Sequence, residues 1–72
     1  MKKKDEIANP DSCFNRARPD ELVFVLLGRD LAAAIAIRAW CNERIRLRKN
    51  IATDHQILEA LATADRIERE WQ

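Results

Sequence analysis

The sequence predicts an all-α fold: an antiparallel helical hairpin with one or two short N-terminal helices packed across it, assembled into an oligomer. Three observations lead there. In residues 54–71 (DHQILEALATADRIEREW), Ile57, Ala60, Leu61, Ala64, Ile67 and Trp71 recur at the i, i+3, i+4, i+7 spacing of one helix face. Residues 31–50 (LAAAIAIRAWCNERIRLRKN) combine alanines with long charged side chains, which are strong helix formers. Only one run, LVFVLL, has strand composition, and a strand without a partner in its own chain is unsatisfied.

The elements follow in order. Residues 1–10 are polar, end in Asn9-Pro10 and are expected to form a flexible tail. Residues 11–72 are expected to form a single helical domain. Asp11 or Ser12 is placed to cap a short turn over residues 13–17, and Pro19 bars a helix through Arg18. Asp20 suits a further cap and Glu21 a first turn. Residues 22–27 have strand length as well as strand composition, but the missing partner strand favours a short buried helix ended by Gly28. Asp30 caps the next helix. At about 100° per residue, Ala33, Ala34, Ile37, Trp40, Cys41, Arg44 and Ile45 share one face. Leu31, Ile35, Arg38, Asn42 and Arg46 share the other. Asn50 ends this helix, and Thr53 or Asp54 caps the last one.

Composition narrows the function. A chain of 72 residues buries a limited core and holds little stability in reserve. Cys13 and Cys41 form no CxxC pair, and one histidine adds too little for a metal-ligand cluster, so neither metal nor cofactor is expected. The basic start is followed by no apolar signal segment, and LAAAIAI is far too short to span a bilayer. A reducing cytoplasm with free thiols is the expected setting, and oligomerisation the expected source of extra stability. Charged residues make up 35% of the chain, yet the net charge is +1, which disfavours a general nucleic-acid binder. Residues 16–49 are rich in arginine while residues 54–70 are mainly acidic, so neighbouring helices attract or an anion site lies in the basic part.

Candidate chemistry is sparse. His55 sits in a first turn with no nucleophile at motif spacing, and a single glycine cannot build a phosphate loop. The chain is therefore expected not to be an enzyme. Arg44 falls on the apolar face, where an unpaired guanidinium is costly. It must reach an edge, pair with Asp65 or Glu68, or meet an anion. CFNRAR groups Phe14, Asn15, Arg16 and Arg18, which together could stack on a base and hold a phosphate, although packing of Phe14 on the hairpin with solvated arginines is the favoured reading. Arg29 has no role in folding that the sequence explains. With Trp40 and Arg44 these residues form the candidate ligand set. Leu31 and Ile35 are the candidate oligomer or partner surface.

Cys13-Phe14-Asn15-Arg16-Ala17, Asp20-Glu21, Phe24-Val25-Leu26, Arg29-Asp30 and Trp40 form an ordered string over residues 11–47. In that string the chain resembles a family of short, mostly uncharacterised bacterial proteins found in phages and prophages. Family members often carry Pro at the positions of Leu22 and close after Asp30, which suits helix starts after a capping acid. Here Leu22 and Ala34 stand instead. The resemblance implies a phage or mobile-element setting and no particular activity. In build, the chain is similar to small helical counter-defence proteins that sequester nucleotide signals. Three functions follow as expectations. The first is a homo-oligomer that sequesters a small nucleotide-like anion. The second is a protein–protein inhibitor or adaptor acting on a host or phage protein through LVFVLL or the Leu31/Ile35 face. The third is a weak nucleic-acid binder.

Overall fold

The computed structural model describes residues 1–71, which contain helices α1 (Lys3–Ala8), α2 (Cys13–Arg16), α3 (Ala33–Arg46) and α4 (His55–Trp71) and no strand. Gln72, the last residue of the expected domain, lies outside the described residues. The all-α expectation holds, and the two longer helices pack against each other.

The α3–α4 contact is built from small side chains. Ala33 and Ala34, near the start of α3, meet Ala64 and Ile67, near the end of α4. Cys41, further along α3, meets Ile57 and Ala60, near the start of α4. The pairing thus runs in opposite directions along the two helices. Ile37 packs against both groups, and Ile45 and Leu61 against the second. Alanines let two helix backbones approach closely, but they bring little apolar surface with them. Ile57 and Cys41 are the largest side chains that are fully buried. On the outer side, Arg38 bridges the helices, donating from Nη2 to Asp65 Oδ1 at 2.8 Å and from Nη1 to Glu68 Oε1. This pair is partly exposed and contributes at most about 1 kcal/mol.

Local chemistry sets the ends of α3. Asp30 acts earlier than expected: its Oδ1 accepts from Ala32 N at 2.9 Å and its carbonyl from Ala33 N at 3.0 Å. The N-cap itself is Ala32, with no side-chain cap. The helix ends before Asn50, the residue expected to stop it. Arg48 adopts φ 61°, and Arg48 N donates to Ile45 O while Lys49 N donates to Arg44 O, both at 3.0 Å. This is a Schellman ending with arginine where glycine is the usual left-handed residue.

Ser12 caps α2 as expected, its Oγ accepting from Asn15 N at 3.1 Å. The N-terminal residues expected to form a tail contain α1, which packs on α2. Met1 lies against α4, with its Sδ accepting from Thr63 Oγ1 at 3.3 Å.

The short buried helix expected at residues 22–27 does not form. The segment has no regular secondary structure, and all six residues are exposed, with Leu22 at 98% and Phe24 at 87%. Val23, Phe24 and Val25 lose rotamer freedom in a helix, and no side chain caps the run as Ser12 caps α2. The C-cap role expected of Gly28 falls with it, because its φ is not positive. Residues 28–30 do form the expected corner, with Asp30 N donating to Leu27 O at 3.0 Å. The radius of gyration, 12.8 Å, exceeds the about 11 Å expected for a tightly folded chain of this length.

Two substitutions test this account by urea denaturation. Ile57→Ala should cost about 2–4 kcal/mol, because a wholly buried side chain leaves a cavity. Arg48→Gly should raise stability by roughly 1 kcal/mol, because the left-handed position no longer carries a Cβ.

Candidate functional site

The seven candidate ligand residues are distributed among separate structural roles. Asn15 is a clamp on the end of α1. Its Nδ2 lies 3.0 Å from Glu6 O, 2.8 Å from Ile7 O and 2.9 Å from Asn9 O. An amide has two N–H groups, so three carbonyls already exceed its donors, and no donor remains for a base. Ser12 Oγ donates to the same Glu6 carbonyl at 2.6 Å. Phe14, Arg16, Arg18 and Arg29 are exposed.

Arg44 does not pair with Asp65 or Glu68, the partners considered for it. Arg38 takes both. The reason is directional: the end of α3 lies beside the start of α4, while Asp65 and Glu68 lie towards its end. Arg44 Nε donates instead to Asn50 Oδ1 at 2.6 Å, and its guanidinium lies 5.6 Å from the Trp40 ring centroid. Asn50 Nδ2 in turn donates to Asp54 Oδ2 at 2.9 Å, and Ile51 N donates to the same oxygen at 3.0 Å. Arg44, Asn50 and Asp54 thus fasten the loop between α3 and α4. The side-chain bond from Asn50, with the Ile51 amide, holds the Asp54 carboxyl below its ordinary range.

Neither cleft described for the molecule is lined by any candidate ligand residue. The larger, about 570 Å³, lies between the N-terminal segment and the helix pair, where Leu26, Gly28, Ile37, Ile67 and Trp71 form its apolar side. Local patterning carries no sign of this cleft, because it joins residues from both ends of the chain. The smaller, about 520 Å³, is a shallow depression lined by Leu31, Ala34, Ile35 and Glu68. Here the structure does join the two residues proposed as a partner surface, Leu31 and Ile35.

Titratable groups offer little chemistry. His55 is 91% exposed, with Nε2 3.4 Å from Glu59 Oε2. Both cysteines are free; burial pushes the Cys41 thiol up, which makes it a poor nucleophile, and Cys13 is exposed. No group of His, Cys, Asp and Glu suited to a metal ion occurs among the described residues. Among the described residues, no helix is long and apolar enough to cross a membrane.

What does stand out is apolar surface. The core holds alanines, one cysteine and two isoleucines, while Leu22, Val23, Phe24, Val25, Leu26 and Leu27 are exposed in one run. Leu31, Ile35, Phe14 and Trp71 are exposed too. Single exposed apolar residues are ordinary, but a contiguous run marks a contact surface.

No family model matches this chain, and no curated protein or solved structure does either.

The loop network has a pH signature. The folded-state pKa of Asp54 is lowered, so its contribution is present above the unfolded value of about 3.9 and is lost as pH falls through the folded value. Asp54→Asn should therefore flatten the acid limb of stability below about pH 4. Urea midpoints measured from neutral to acid pH check this, and an unchanged acid limb would contradict the assignment.

Proposed function

We propose that this chain is a non-enzymatic protein-binding module, an inhibitor or adaptor, whose contact surface is residues 22–27 extended by Leu31 and Ile35. One observation carries this: six consecutive apolar residues are exposed with no hydrogen bond donated by their backbone N–H groups to any described residue. An exposed apolar segment with free backbone groups is the chemistry of β-augmentation, in which main-chain bonds supply affinity and alternate side chains supply specificity.

Sequestration of a nucleotide-like anion is the weaker proposal. The Asn15 Nδ2 donors are taken up in clamping α1, Arg44 is tied to Asn50, and Arg16, Arg18 and Arg29 line neither cleft. Nucleic-acid binding is weaker still, since two of the basic side chains of α3, Arg38 and Arg46, are paired with carboxylates within the chain. The setting we propose is cytoplasmic and phage- or prophage-associated, following the resemblance in residues 11–47.

A photo-crosslinker placed at Phe24 should form an adduct with a second polypeptide in cells. The same group at Arg69, exposed on α4, should form far fewer. Equal yields at both positions would defeat the assignment of this surface.

A further inference from the structure

Residues 22–27 present free backbone groups on a segment bounded by two turns. None of their N–H groups donates to a described residue, and of their carbonyls only that of Leu27 accepts, from Asp30 N. The turns are closed by Glu21 N donating to Arg18 O and Asp30 N donating to Leu27 O, each at 3.0 Å. Such groups are satisfied most completely by another strand.

We infer that this segment pairs with the same segment of a second copy of the chain, antiparallel and centred on Val25. The inference rests on the contact surface proposed above and names its occupant. Symmetry limits the choices. Directly opposed residues in an antiparallel pair share a face, so a twofold pair must place one residue opposite its own copy. With Val25 at the centre, Glu21 and Arg29 of the second copy, in the turns that bound the extended residues, come together at each end of the pair. Parallel pairing in register would set Glu21 against Glu21 and Arg29 against Arg29, which is repulsive. Arg29 makes no ion pair among the described residues, and the Glu21 carboxylate only accepts from Arg18 N at 3.0 Å. Centring on Phe24 instead would set Glu21 against Leu27 and leave Arg29 opposite Pro19.

The same register seats the most exposed side chain. Leu22 comes opposite Gly28 of the second copy. A Cβ on Gly28 would lie 3.6 Å from Ile67 Cγ1 and 3.7 Å from Trp71 Nε1, in ordinary van der Waals contact, so Gly28 packs directly over these two side chains. Leu22 of one copy would then lie beside the cleft that Leu26, Ile67 and Trp71 of the other help to line. The two strands would lie across both helix pairs, which supplies the packing that an isolated two-stranded ribbon lacks. An interface this short belongs to the small class, below about 1,200 Å², so association should depend on concentration.

Sedimentation equilibrium of the full chain from micromolar to millimolar concentration tests this. The average mass should rise from 8.4 kDa towards twice that value. Val25→Pro removes the central N–H and should weaken association by more than about tenfold. Arg29→Glu alone should weaken it, and Glu21→Lys combined with Arg29→Glu should restore it. Circular dichroism should show unchanged helix in each variant, because residues 22–27 lie outside the helical core. A mass of 8.4 kDa at every concentration overturns the inference, as does association that Val25→Pro leaves intact. Absence of rescue in the double variant overturns the register. Adducts at Phe24 to another protein, with a chain that stays monomeric when purified, would leave the surface standing and remove only the second copy as its occupant.

Discussion

Everything in this fold depends on the close approach of α3 and α4 across alanine. Ala33 and Ala34 face Ala64, and Cys41 faces Ala60 and Ile57. Small side chains permit the approach, and the approach brings the backbones near enough for Arg38 to reach two carboxylates on the other helix. The same choice limits stability, since a buried methyl contributes far less than a buried leucine or phenylalanine. The chain places its bulk elsewhere. Phe24, Leu22, Leu31, Ile35 and Trp71 all lie largely outside the core.

That inversion links stability to function. A small domain gains stability from whatever binds its folded form. A partner that covers residues 22–27 would supply the apolar burial that the α3–α4 contact lacks. The segment is free to do so because its neighbours hold the rest of the chain in place. Asn15 and Ser12 lock α1 to α2, and the Asp30 turn starts α3. The loop between α3 and α4 is fastened independently by Arg44, Asn50 and Asp54. Loss of order in residues 22–27 would disturb none of these contacts.

Much of the helical core was legible in the residues. The stripe of α4 is buried at Ile57, Ala60, Ala64 and Ile67, and the predicted face of α3 is buried at Ala33, Ala34 and Cys41. Periodicity reports such faces directly because a helix face is a local property. The candidate site was less legible. Trp40 and Arg44 share a helix face and do meet, but Arg44 is tied to Asn50 within the chain. Phe14 and Arg16 sit on a helix too short to orient them towards those two. Arg48 in a left-handed position escaped notice because arginine gives no local sign of that conformation.

The sequence by itself determined the helical class, a cap at Asp11 or Ser12, the corner at residues 28–30 and the apolar faces of α3 and α4. These follow from spacing and capping chemistry within a few residues. Tertiary structure alone decided which carboxylates meet Arg38, that Arg44 turns to Asn50, and that Gly28 stands over Ile67 and Trp71. It also decided the fate of LVFVLL. Strand composition and helix capping signs conflict in that run, and no local rule ranks them. The run lies at the surface, with all six side chains exposed beside a core lined by alanines.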